Sequence, residues 1–103
     1  MAFPFKRLQI EGHSMEPALC AGDRVLIRRS RKLVPGDVAA FEHEGRILVK
    51  RVVRVIAQGY HFAGDHTADS RDSRSFGRVS KERVIGKMIL RYEKRPAVAG
   101  RVR

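Results

Sequence analysis

Ile47-Leu48-Val49-Lys50-Arg51-Val52-Val53-Arg54-Val55-Ile56 is the stretch that decides the fold. It is the most strongly β-forming segment of the chain, because Val and Ile fit a pleated strand better than a helix. Period-two alternation puts Leu48, Lys50 and Val52 on one face and Val49, Arg51 and Val53 on the other. Working outward, Arg24 to Arg28, Val38 to Glu42, Tyr60 to Ala63 and Val84 to Tyr92 are further short strand candidates, most of them carrying Val or Ile and all bounded by Gly, Pro or charged turns. Glu44-Gly45 predicts a tight hairpin and Gln58-Gly59 a second. Gly22-Asp23, Gly36-Asp37 and Gly64-Asp65 mark turns, the first two leading straight into β segments. Helical signals are confined to Ser14–Cys20, with Ser14 as N-cap and Pro17 in the first turn, and to Ser80–Arg83. The expectation is a mainly β fold, a compact sheet or partly closed barrel with at most short helical turns. It forms a single domain over residues 1–95, followed by a basic tail, 96–103, expected to fray.

Composition narrows the function classes. The 103 residues suffice for one domain and not two. Twenty-two Lys and Arg against eleven Asp and Glu give a net charge of +11, which favours an acidic partner: nucleic acid, an anionic membrane surface or an acidic protein. The single cysteine, Cys20, excludes an internal disulfide framework. The longest apolar runs, such as Val38 to Phe41, are four residues, too short for a membrane-spanning helix. Met1 to Arg7 contains no apolar core of a secretory signal. A cytoplasmic location is expected, with peripheral contact at the inner face of the membrane open to the basic surface.

Two segments do not read as plain strand and turn: Glu11-Gly12-His13-Ser14-Met15-Glu16-Pro17, and the fourteen residues from Gly64 to Gly77, rich in Asp, Arg and Ser. Loops as long as the second are usually functional or disordered. Its balance of Asp and Arg predicts a loop tied down by its own ion pairs. Lys50 is the other anomaly. A lysine on an apolar strand face either snorkels to water or is desolvated, and in the second case it becomes neutral and basic. From the strand alone snorkelling is the default. Ser14, in a turn able to present its hydroxyl, changes the balance, since a Ser–Lys pair is an established means of activating a hydroxyl nucleophile.

Three motifs in order then carry a resemblance. Ser14-Met15-Glu16-Pro17-Ala18-Leu19 resembles the nucleophile box, Ser-Met-x-Pro-Thr-Leu, of the type I signal peptidase family. Lys50-Arg51-Val52 resembles the box holding that family's general-base lysine. Gly64-Asp65-His66 through Ser70-Arg71-Asp72-Ser73-Arg74 and Gly77 resembles its Gly-Asp-Asn…Ser-x-Asp-Ser-Arg…Gly box. The likeness runs from about Gly12 to Tyr92. It implies a β fold like that of signal peptidases and the LexA catalytic domain, with coiled sheets.

It also implies that Ser14 is the acylated nucleophile, Lys50 its base and Ser70 a hydrogen-bond partner of the Lys50 amine. Asp65, Asp72 and Arg74 would form the ion-paired scaffold of the loop. The backbone at Ser14 would stabilise the oxyanion. Gly12 stands where some relatives carry a second, side-chain donor. Ala18 for Thr and His66 for Asn are further departures. With no amino-terminal anchor and a minimal connection from Lys50 to Gly64, the chain looks most like the small proteases that remove the leader of nickel-type superoxide dismutase. The implied partner is a protein precursor bound as an extended strand, and the implied activity is that of a serine endopeptidase needing no cofactor and no metal.

Other readings are weaker. His13 adjoins Ser14 but points away from it in an extended chain. A Ser–His–Asp triad through His66 or His43 has no motif behind it. His61, Asp65, His66 and Asp69 match no metal-ligand spacing. Cys20 reads as a small apolar residue. A basic nucleic-acid-binding β domain would suit the charge, yet Phe41, Tyr60, Phe62 and Tyr92 are too dispersed to form a stacking platform. A non-catalytic relative binding peptides at a sheet edge is the remaining alternative.

Overall fold

Strand Val38–His43 explains the architecture, because its first four residues are all buried. Val38 and Ala40 pack into one apolar cluster while Ala39 and Phe41 pack into another. A strand buried on both faces reads as a continuous apolar run rather than as an alternation, which accounts for Val38-Ala39-Ala40-Phe41.

The computed structural model describes residues 4–66 and 77–93. The proposed tail 96–103 lies outside them. Within them the chain forms β1 (Phe5–Gln9), β2 (Arg24–Arg29), β3 (Val38–His43), β4 (Arg46–Ile56), β5 (Gly59–Ala63), β6 (Val79–Ser80) and β7 (Val84–Glu93), with one 3-10 turn at Lys81–Arg83. All pairings are antiparallel and make one seven-stranded sheet in the order β1-β2-β7-β3-β4-β5-β6. The fold is thus mainly β with no α-helix among the described residues.

The sheet coils so that its two halves close over different faces. Val52, Tyr60, Phe62 and Val79 of β4 to β6 surround Phe41, whose ring stacks on Phe62 at 4.3 Å. Val25 and Ile27 of β2 meet Met15 and Leu19 on the other side. Bulges supply the curvature. Register shifts fall between Leu26 and Ile27 opposite β7 and between Val52 and Arg54 opposite β5. The residues left over, Ile89 and Val53, are exposed apolar side chains, as is Tyr92 at the Arg24/Val25 shift.

Local chemistry sets the turns. Glu44 and Gly45 both have positive φ, 52° and 77°, joining His43 to Arg46 as the two-residue hairpin the sequence predicts. The second hairpin is displaced by one residue: Ala57 and Gln58 turn the chain, and Gly59 is already in β5. Gly59 has a packing role, since a Cβ there would lie 2.4 Å from the Val79 carbonyl oxygen of β6. The first two Gly-Asp turns share one device. Asp23 Oδ2 accepts the Cys20 N–H (2.9 Å) and Asp37 Oδ2 the Val34 N–H (2.9 Å), while each Asp N–H donates back to the carbonyl three residues earlier. Ser14–Cys20 forms turns, with one helix-like bond from the Leu19 N–H to the Met15 carbonyl (2.9 Å).

Candidate active site

The segment carrying Ser14 leaves β1 at Ile10 and returns to β2 at Asp23, and its two ends are tied together. The Ile10 N–H donates to the Asp23 carbonyl and the Gly22 N–H to the Ile10 carbonyl, both at 2.8 Å. Met15 and Leu19, each 2% exposed, plug the loop into the second apolar cluster. Asp23, 1% exposed, meets Arg91 Nη1 of β7 at 3.4 Å, and the same nitrogen reaches the Ala18 carbonyl at 3.3 Å. Gly12 has φ +76°, a left-handed conformation that glycine adopts without strain. Nothing lies within 4 Å of where its Cβ would be, so backbone conformation and not crowding calls for glycine there.

Lys50 comes from the middle of β4, opposite Ala39 of β3. It is 7% exposed, and its Nζ donates to Ser14 Oγ at 2.5 Å. Residues 36 positions apart thus meet through a rigid strand and an anchored loop. Alternation gives Arg51 the opposite direction, and it makes a two-pronged contact with Asp65: Nε to Oδ1 at 2.9 Å and Nη2 to Oδ2 at 2.8 Å. The hydrogen bonds to Asp65, and then its charge, raise the Arg51 guanidinium above its ordinary value against the opposing effect of burial. Arg51 Nη1 also donates to the Gly36 carbonyl at 2.9 Å. Next to Asp65, the His66 N–H donates to the Ser14 carbonyl at 2.8 Å, which ties the residues following β5 to the loop that carries Ser14.

The structure therefore brings Ser14, Lys50, Gly12, Asp65 and His66 into one neighbourhood. Ser70, Asp72 and Arg74 lie outside the described residues. The partnership of Arg51 with Asp65 and the His66 backbone contact are additions that sequence reading did not make. Alternation on β4 was the available signal for Arg51, since it sends residues 50 and 51 to opposite sides of one strand. His13 pairs with Glu16 (Nδ1 to Oε2, 2.7 Å). Among the described residues no group of three or more His, Cys, Asp or Glu side chains is arranged to hold a metal.

A cleft of about 260 Å³ adjoins the pair, between residues Leu8 to Glu11 on one side and Arg46 to Lys50 on the other. Both walls offer strand edges. β1 is the outermost strand of the sheet. β5 pairs with β4 only from Arg51 onward, so Arg46 to Lys50 is paired on the β3 side alone among the described residues.

The sequence model of the Peptidase S24-like family matches residues 5–89, from the start of β1 to within β7. The chain belongs to the Peptidase S24-like family. No curated protein matches it. The match spans Ser14, Lys50 and Asp65, and the mainly β sheet is the S24-like fold. Among the described residues of this S24-like chain, no helix is long and apolar enough to cross a membrane.

Proposed function

We propose that the protein is a serine endopeptidase in which Ser14 is the nucleophile and Lys50 the general base, acting on an N-terminal leader or propeptide of a protein precursor. The observation that carries this reading is the 2.5 Å contact between Ser14 Oγ and a Lys50 amine that is 7% exposed. Loss of hydration disfavours the ammonium form. With the amine neutral, the polarity of the contact reverses: Oγ–H donates to Nζ, and the hydroxyl gains nucleophilic character.

The substrate docks in extended form in the cleft, where β1 and the first half of β4 offer unpaired strand edges. Oγ attacks the scissile carbonyl and its proton passes to Nζ. The Ser14 backbone N–H stabilises the oxyanion, with the left-handed turn at Gly12 shaping the approach. Nζ returns the proton to the leaving amine, an acyl-enzyme remains on Ser14, and water activated by the same amine releases it. Arg51, Asp65 and the His66 N–H hold the two loops in register around this chemistry, with Ser70 supporting the amine. No cofactor enters these steps. The reading supports a cytoplasmic enzyme, and the resemblance to signal peptidases favours leader removal, with nickel-type superoxide dismutase precursor as the leading substrate.

The test is incubation of wild type and Lys50→Ala with leader-bearing precursors from the same genome, read by intact mass. One discrete cut by wild type that is absent in Lys50→Ala is the expected result. A cut that survives Lys50→Ala, or a serine-directed acylating probe that fails to label Ser14, would sink the proposal.

A further inference from the structure

β1 links the cleft to a second groove. Lys6 and Leu8 sit opposite Ile27 and Val25, both fully buried, so they share the inward face of β1. Leu8 borders the Ser14–Lys50 cleft. Lys6, two residues or about 7 Å along the strand, borders a larger groove of about 610 Å³. Ile27, Val84 and Ile85 give that groove apolar walls.

Its rim is charged and unbalanced. Lys6, Arg29, Arg31 and Arg83 face two acids, Glu42 and Glu82. Arg83 is committed to the Glu42 carbonyl (2.9 Å) and to His43 Nδ1 (2.7 Å). Glu42 Oε2 accepts the Gly45 N–H at 2.8 Å. Glu82 is held below the usual carboxylate range by its own backbone N–H and the Ser80 hydroxyl, helped by the charges of Arg31 and Arg78. Both acids are therefore accounted for within the fold. Lys6 and Arg29 are exposed and have no ion pair among the described residues.

We propose that this groove is an exosite for an acidic stretch of the substrate polypeptide, entered by the same extended chain that lies in the cleft. The inference rests on the protease reading of that cleft and adds a substrate class to it. A strand running past Leu8 reaches the Lys6 and Arg29 rim within about two to four residues. Apolar walls with cations at the rim suit alternating acidic and aliphatic side chains, whose period of two matches a strand. A nucleic acid would call for a stacking platform, and among the described residues Phe5 is the single aromatic side chain lining the groove.

The experiment uses the full chain carrying Ser14→Ala, so that binding is read without turnover, and a fluorescein-labelled peptide of alternating Glu and Val. Anisotropy should show binding that weakens with salt and falls about tenfold or more in Arg29→Glu/Arg31→Glu. A Lys-Val peptide should gain affinity for the reversed variant. Thermal melts establish that both proteins are folded. Glu-Val binding that ignores the reversal would overturn the exosite. So would a labelled oligothymidine that binds more tightly than the peptide and is lost on the same reversal, which would make the groove a nucleic-acid surface. Cleavage by wild type alongside indifferent peptide binding removes the exosite and keeps the protease. Peptide binding at the groove with no precursor cleaved removes the protease and keeps the acidic-peptide site.

Discussion

Lys50 sets stability against function within a single side chain. A buried amine is worth less to the fold than an apolar side chain of the same length. Lys50→Met should therefore melt no lower than wild type while losing about a thousandfold or more in cleavage rate; a large drop in melting temperature would mean that the amine is structural. In the proposed mechanism the amine acts as base only when neutral, so the rate should climb as pH rises and the lysine sheds its proton. A rate constant between pH 5 and 10 would remove Lys50 as base. Asp65 stands one step away, in contact with Arg51 and next to His66, whose N–H meets the Ser14 carbonyl. Because Arg51 is 36% and Asp65 20% exposed, solvent weakens their pairing, and Asp65→Asn should cost about 1 kcal/mol or less. It should lower kcat more than it raises KM, since His66 next to Asp65 contacts the loop carrying Ser14, and Asp65, Arg51 and His66 do not line the cleft themselves; an effect on KM alone would contradict a positioning role. The site residues were legible to unequal degrees. Ser14 and Lys50 stand in short local motifs, whereas the Arg51–Asp65 contact depends on how the coiled strand presents one face to a loop fourteen residues later.

At the scale of the element, legibility followed burial pattern and turn chemistry. β2 to β5 and β7 could be read because β-branched or aromatic residues stand between turn signals: Val and Ile in β2, β4 and β7, the buried apolar run of β3, and Tyr60 and Phe62 in β5. β1 could not: Phe-Lys-Arg-Leu-Gln has two apolar residues in five, as suits an edge strand that discourages pairing with other copies. β6 has two residues and exists because Gly59 lets it approach β5. Bulges hid the alternation of β7, leaving Ile89 and Tyr92 exposed where period two breaks. The hairpin between β3 and β4 offers a test of the turn argument. Glu44 adopts φ 52° before Gly45, a geometry that Asn-Gly favours. Glu44→Asn should stabilise the fold by about 0.5 kcal/mol, read as a higher urea midpoint at unchanged slope. Gly59→Ala should do the reverse, by about 1–3 kcal/mol, because the closest approach of the added methyl, 2.4 Å, is to the Val79 backbone oxygen, which cannot swing away as a side chain can. Equal midpoints for Gly59→Ala and wild type would show that β6 can part from β5 at no cost.

Across the whole molecule, the two apolar clusters share β3, and that sharing predicts that they unfold as one cooperative unit. Phe41 belongs to the cluster under β4 to β6, and Ile27 to the cluster that also receives Met15 from the loop carrying Ser14. Both are fully buried. Phe41→Ala should cost about 3–5 kcal/mol and Ile27→Ala about 2–5 kcal/mol. If β3 couples the clusters, each variant unfolds in one transition, seen identically by far-ultraviolet circular dichroism and, in a Tyr92→Phe background, by fluorescence of Tyr60, the one tyrosine then left, which sits in the first cluster. The coupling has a functional consequence. Ser14 hangs from the second cluster through Met15, while Lys50 is carried by β4, whose Val52 is buried in the first, so the 2.5 Å contact is held only while both halves stay folded. Activity in Ile27→Ala should accordingly vanish along the same denaturant curve as the Tyr60 signal. Activity lost well before that signal changes would mean that the nucleophile loop melts separately, and that the two clusters are independent units.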